Sequence, residues 1–421
     1  MDGKASHVTR MRGDHKGSTT HVMSAVGSRP EVWMTRRSPR TSQRDPLWLR
    51  LGCLSLVMVA FLFGVFCVGL ESLAMTVSSP AHFLLAAALA TAFTVPYGAL
   101  LLFVDRNERE PWWLLLLTFL WGAVVATSVS AIFNTVAGAG FSAVMPPMLA
   151  DQLTASFSAP PVEEGTKALA LVVVLVAFRH HFDNVLDGML YGALVGLGFA
   201  WFENISYYMM VSDGEGALGM VKLAYIRGFL NGIASHAAWT SLTGLGLGLW
   251  RVMRSGWLRW FVPPLFLALA MFAHFAWNSF AGLIIGLSTT TELASLVIGA
   301  PLAVLVLQAP FVFLLLIVVF FALRHEDELI HRYLEDEPDD IWPAPLRGRL
   351  VPARVRAWSG TMRLVQEGPG MWWHRRRQER LLIQLAFAKW HHIRSEHAWE
   401  LDDDDDVERL RRDLRRLSAR R

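Results

Sequence analysis

A short set of polar side chains stands where an apolar sequence gives little room to idle ones. Glu163, Glu164 and Lys167 open one hydrophobic run, Glu203 sits inside the next, His236 lies in the one after, and His274 with Asn278 in a fourth. A charged side chain at the centre of a membrane helix costs a few kcal/mol on insertion scales and persists mainly where it has a partner or a task. On one helix, Glu163 and Lys167 are i,i+4 neighbours and Glu164 and Lys167 are i,i+3 neighbours. Either carboxylate can therefore form a structural ion pair with the Lys167 ammonium and leave the other free. Glu203 in the same low-dielectric space makes unequal partners of the carboxylates, which suits a base that activates water. His274 and Asn278, also i,i+4, face the same way and can both donate hydrogen bonds to a developing oxyanion. These are the parts of a hydrolase. The same donors admit a second chemistry, a divalent site built from Glu203, His236 and His274 with an open water position, zinc being one such ion.

The elements that must carry these residues follow from composition. The chain has 421 residues, 53% of them hydrophobic and only 18% charged, with a positive mean hydropathy. That exceeds what a soluble core requires. Uncharged runs of roughly 20 residues predict about eight spans, near 51–70, 81–104, 112–136, 160–178, 185–211, 228–250, 260–286 and 293–323. The expected fold is an all-α polytopic transmembrane helix bundle with a small helical cytoplasmic tail. Its parts are a disordered basic N-terminal tail over 1–46, a transmembrane domain over 47–323 and a helical tail over 324–421. Pro96, Pro263, Pro264, Pro301 and Pro310 fall within or beside the runs and predict kinks, not boundaries. Nearly fifty residues precede the first span, too long and polar a lead-in for a cleaved signal peptide, so that span is expected to stay in the mature chain. Arginines crowd the start of the first span and alternate loops, whereas the intervening loops carry little beyond Lys222 and Arg227. Such a bias predicts a multi-pass plasma-membrane protein with both termini cytoplasmic. At about 1.5 Å per residue, the polar residues then lie roughly 5 to 18 Å below their outer span ends, deep enough for one shared polar chamber if the fourth span tilts.

Other classes fit poorly. The pI of about 9.0 comes from tails and loops without a nucleic-acid-binding motif, so no nucleic acid is expected as a partner. Cys53 and Cys67 both lie in the first span, with no disulfide or Cys/His zinc framework. Neither a His-Glu-x-x-His zinc motif nor a Gly-x-Ser-x-Gly elbow occurs. There is no internal repeat. His180, His181, Asp183 and Asp187 form a rival cluster, read as an interfacial turn with Asp183 near a helix start. In the tail, Leu381, Leu382, Leu385, Ala386 and Trp390 recur at helical spacing beside Arg375–Arg377, which fits a membrane-surface helix or a soluble appendage equally. Asp402–Asp406 reads as a solvated acidic loop before a terminal charged helix.

Taken together, Glu163-Glu164-x-x-Lys167, Phe199-x-x-x-Glu203-Asn204, a mid-helix His236, and His274-x-x-x-Asn278, with the loop Asp105-Arg-Asn-Glu-Arg-Glu-Pro111, resemble the PrsW family of membrane proteases. The resemblance covers roughly residues 90–323. It implies an intramembrane peptidase, distantly related to the CAAX prenyl proteases, that cleaves membrane-anchored proteins such as anti-sigma factors within the lipid bilayer. Under it, Glu163 or Glu164 together with Glu203 deprotonates the attacking water, His274 and Asn278 serve the oxyanion, and His236 assists or binds metal. Asn278 departs from the aspartate often written at that position, which favours an oxyanion donor over another carboxylate. Oligomeric state is not legible. Each motif alone also has a structural reading: an interfacial salt bridge for the glutamates, interhelical hydrogen bonds for the histidines, packing for Asn278. Two other classes compete. A proton- or cation-coupled transporter uses intramembrane Glu and His as relays but often shows duplicated halves, which are absent here. A noncatalytic sensor or scaffold would be indifferent to replacement of Glu163 and Glu164.

Overall fold

The computed structural model describes residues 47–253, 256–288, 291–342, 347, 353–394 and 402–419. The expected disordered tail over 1–46 lies outside the described residues. Helices account for the architecture, with no strand among the described residues, so the protein is an all-α polytopic bundle. In order they are α1 (Leu47–Ser78), α2 (Pro80–Val104), α3 (Trp112–Ser142, with a π-turn at Trp121–Ala126), α4 (Pro147–Leu153) and α5 (Ala159–Ala177). Then come α6 (Val185–Ala224), α7 (Ala238–Val252), α8 (Val262–Ser288), α9 (Glu292–Leu307), α10 (Ala309–Leu334), α11 (Ala353–Arg394) and α12 (Asp402–Ser418).

Among the described residues, six helical runs are long and apolar enough to cross a bilayer. The α5 helix is not one of them because Glu163, Glu164 and Lys167 crowd its start. One of the six is the 68-residue run Val185–Val252, which folds back on itself as a hairpin. Its reversal falls at Gly216, where φ is 60°, a left-handed conformation that glycine adopts without a Cβ clash. The legs pack in antiparallel register through the glycine stripe Gly188, Gly192 and Gly196. A Cβ on Gly196 would lie 2.0 Å from the His236 carbonyl oxygen. Small residues at four-residue spacing let membrane helices approach backbone to backbone. The second leg is not a regular helix: π-turns span Tyr225–Leu230 and Ile233–Ala237, and Ser235 has non-helical φ −95° and ψ −122°. Irregular backbone at membrane depth is stable where protein buries it or a cavity borders it, and Tyr97 Oη donates to the Phe229 carbonyl at 2.9 Å.

Around the hairpin, Leu114, Trp121, Val125, Leu171, Val174, Tyr191, Val195 and Phe199 form one core between α3, α5 and α6. Helix α1 exposes Leu56, Met58, Val59 and Leu62, apolar surface suited to lipid. The prolines divide in their effect. Pro96 lies inside a continuous α2, whereas Pro263 and Pro264 fall in the first turn of α8 and Pro310 in that of α10. At those helix starts the missing N–H has no intrahelical acceptor to lose, so they mark boundaries where kinks were expected. Gln308 interrupts what was expected as one span, 293–323, and the helix then continues to Leu334.

That continuation builds the tail. Leu329, Ile330 and Leu334 of α10 pack with Leu382, Leu385, Ala386, Phe387 and Trp390 of α11 and with Val407, Leu410 and Leu414 of α12. The apolar face around Leu385 and Trp390 of α11 is thus covered by its own chain. Buried among these helices, Glu337 accepts from Lys389 Nζ at 2.9 Å and from Arg411 Nη2 at 2.7 Å and Nε at 3.1 Å. Burial pushes its pKa up, but the bonds from Arg411 and Lys389 outweigh that and hold the carboxyl below its ordinary range. Asp402–Asp406 is not the expected loop: α12 begins at Asp402, and aspartates at a helix N-terminus are favoured by the helix dipole.

Candidate active site

Four helical segments bring the intramembrane polar residues to one place. Glu163, Glu164 and Lys167 come from the first turns of α5, Glu203 from the middle of α6, His236 from the irregular stretch before α7, and His274 and Asn278 from α8. All except Glu203 and Asn278 are buried. They border a cavity of about 340 Å³ lined by Glu163, Glu203, His236, Trp239, His274 and Asn278, together with Asn134, Phe199 and Arg227. The i,i+3 and i,i+4 spacing on α5 works as expected: Lys167 Nζ lies 2.9 Å from Glu164 Oε1 and 3.4 Å from Glu163 Oε2. The ammonium also sits 2.8 Å from His236 Nδ1 and 3.6 Å from the centre of the Phe199 ring.

The two adjacent glutamates have different work. Glu164 is saturated by Lys167, by the Thr240 hydroxyl donating to Oε2 at 3.0 Å, and by His274 Nδ1 at 3.3 Å. Glu163 lines the cavity and makes only long contacts, accepting from Asn134 Nδ2 at 3.3 Å and from Lys167 at 3.4 Å. Its Oε2 stands 3.9 Å from His274 Nε2 and 4.0 Å from His236 Nδ1. Glu203 is committed elsewhere: its Oε2 pairs with Arg227 and lies 2.9 Å from His236 Nε2. Arg227 in turn donates through Nε to Asn204 Oδ1 at 2.8 Å and covers the Tyr207 ring.

Each imidazole lies between two carboxylates. His236 Nε2 and His274 Nδ1 make the shorter contacts, 2.9 Å to Glu203 and 3.3 Å to Glu164, whereas His236 Nδ1 and His274 Nε2 turn toward Glu163. Trp239 stacks on His274 at 4.2 Å and fixes its ring plane. His274, expected as an oxyanion donor, borders the cavity with Nε2 on the Glu163 side. Asn278 Nδ2 donates one N–H to the Ala155 carbonyl at 2.8 Å, and its second has no partner among the described residues.

One atom each from Glu163, His236 and His274 lies within 4.8 Å of the others. Three such ligands, with each imidazole's outer nitrogen on a carboxylate, match the donor set and second shell of a catalytic divalent site. The residues fit a metal, though with a different carboxylate from the one expected. Glu203, the carboxylate expected there, turns its Oε2 to Arg227 and His236. Lys167 competes for the same His236 nitrogen.

Arg227, Asn134, Thr240 and Trp239 were not anticipated. The one available signal was Arg227 itself, a cation in a loop otherwise poor in basic residues. The rival cluster is structural at its start: Asn184 caps α6 in a reciprocal box with Asp187, beside Asp183. Across from it, burial pushes the Asp105 carboxyl up to about 7 and that of Glu110 up to about 8.

Comparison with known proteins agrees with this arrangement. Residues 110–320 match the family described as PrsW family intramembrane metalloprotease. The chain is similar to Protease PrsW of Geobacillus kaustophilus strain HTA426, 31% identical over 168 residues, 39% of this chain and 67% of that protein. To Protease PrsW of Oceanobacillus iheyensis it is 27% identical over 162 residues, 38% of this chain and 67% of the relative. To Protease PrsW of Bacillus subtilis strain 168 it is 30% identical over 149 residues, 34% and 59% of the two chains. No solved structure matches the chain.

Proposed function

Because the chain belongs to the PrsW family of intramembrane metalloproteases and is a multi-pass membrane peptidase, we propose that it hydrolyses peptide bonds of membrane-anchored proteins with Glu163 as the base. The observation that carries this reading is the contrast on α5: Glu164 has its acceptor capacity filled, whereas Glu163 faces the cavity with long contacts only. A water bound to Glu163 Oε2 would also be in reach of His274 Nε2, which supports both its position and its deprotonation. The proton taken by Glu163 would pass to the leaving amine. Lys167 keeps Glu164 ionised and holds the two glutamates apart in role. Arg227 holds Glu203, and Glu203 holds the His236 ring. The unpaired N–H of Asn278 would donate to the oxyanion. Arginines at alternate loops support cytoplasmic termini and a chamber in the outer half of the plasma membrane.

A second reading rests on the two imidazole nitrogens turned toward Glu163. Glu163, His236 and His274 would hold a divalent ion, which when bound polarises the scissile carbonyl and acidifies its water.

The test is cleavage of single-span reporter proteins in detergent by the native chain and by Glu163→Gln and Asn278→Ala at matched folding, with and without a chelator. Loss of about 10²-fold or more in Glu163→Gln is the expected result for a general base. Unchanged cleavage in Glu163→Gln sinks the assignment. Chelator sensitivity reversed by added Zn²⁺ selects the metal reading. Charge movement across vesicles without cleavage would favour transport.

A further inference from the structure

At the opposite end of the hairpin from the catalytic chamber, three segments far apart in sequence converge. The loop between α2 and α3 supplies Glu108, the turn before α6 supplies Asp183, and the end of α11 supplies His391. His391 Nε2 lies 2.6 Å from Glu108 Oε1, and His391 Nδ1 lies 3.7 Å from Asp183 Oδ2. One ligating atom from each of the three is within 4.8 Å of the others. Asp183 is buried, and Glu108 and His391 are partly so. We propose that Glu108, Asp183 and His391 form a second divalent-cation site, which fastens the helical tail to the membrane domain.

The chemistry of the donors argues for it. Two carboxylates and one imidazole suit a borderline divalent ion such as Zn²⁺, which takes its oxygen and nitrogen ligands at about 2.0–2.2 Å and therefore spaces them about 3.4 Å apart. One ligand atom from each residue already lies within 4.8 Å of the others, so a bound ion would have only to draw the two carboxylates toward a single nitrogen of His391. The ligands also come from three separate elements, so their meeting is a consequence of the tertiary fold. Glu110 and Asp187 stand beside the cluster, further carboxyl groups whose ionised form a bound cation would favour. The tail already packs on α10 through its apolar core, so an ion there adds a second attachment, between α11 and the membrane domain.

The experiment uses the full chain in detergent, stripped with chelator and titrated with Zn²⁺, with bound metal measured by equilibrium dialysis. It is run in a Glu163→Gln background, so that any zinc in the catalytic chamber is the same in every sample. His391→Gln and Asp183→Asn should each hold one equivalent of zinc fewer, or bind that equivalent at least about tenfold more weakly, than the background chain. Because His391 lies on the surface of α11, His391→Gln leaves the tail core in place, and matched thermal unfolding without zinc verifies it. Equal stoichiometry and affinity with and without His391 would overturn the site and leave an imidazolium bridging two carboxylates only. Reporter cleavage is a separate readout, so this result stands or falls independently of the proposed peptidase mechanism.

Discussion

The chain solves the problem of a buried glutamate twice, and the two solutions differ in an instructive way. In the tail, Glu337 is buried and enclosed by Lys389 and Arg411, which supply short charge-assisted hydrogen bonds to its carboxylate. In the membrane, Glu163 has Lys167 nearby but at 3.4 Å, shares it with Glu164, and opens onto empty volume. Both are acidic groups beside cations. Only one has acceptor capacity to spare, and that surplus, with room for a third party, separates a reactive carboxylate from a structural one.

The largest expected effect that sharpens this contrast comes from Lys167→Met. It strips the buried Glu164 carboxylate of its counter-ion, which destabilises by about 3–5 kcal/mol; thermal unfolding in a single detergent measures it. Stability within about 1 kcal/mol of native would mean that the ammonium is not the anchor of the cluster. Smaller is Glu337→Gln, which weakens charge-assisted bonds and is expected to cost about 2 kcal/mol in the tail while reporter cleavage stays native. A fall in cleavage there would break the division into structural and reactive carboxylates. The smallest effect is in pH. Glu110, raised to about 8 by burial, binds its proton more tightly folded than unfolded, so its share of stability is complete in acid and is lost as pH rises from about 4.5 toward 8. Glu337, lowered, has the opposite sign and loses its share as pH falls below its ordinary range. Glu110→Gln should flatten the decline in stability between about pH 4.5 and 8, read by unfolding at a series of pH values; an unaltered slope across that range counts against the assignment.

Much of the chamber was legible because charge is rare in lipid: Glu163, Glu164, Lys167, Glu203, His236 and His274 declared themselves by standing in apolar runs. The all-helical fold followed from the same runs. What could not be read was which face meets which. Glu203 and Glu163 are equivalent as letters, and only the cross-helix register shows that both line the cavity while Arg227 and His236 hold the first and only long contacts reach the second. Thr240 and Asn134 are ordinary polar residues until that register aims them at glutamates. The tail shows the same limit: the periodicity around Leu385 and Trp390 told of an apolar face but not that α10 and α12 would cover it.

The turn at Gly216 sets a further constraint, on chain length. It lies midway between Gly196 and His236, whose backbones touch, so the two legs are counted out from it in equal steps. Each residue of helix turns about 100°. Deleting or inserting one residue on either side of the turn would rotate His236 by that angle away from Glu203 and slide Gly196 past its contact, with no change in hydrophobicity to announce the damage. For this hairpin, spacing is therefore under tighter restraint than most of the letters that fill it.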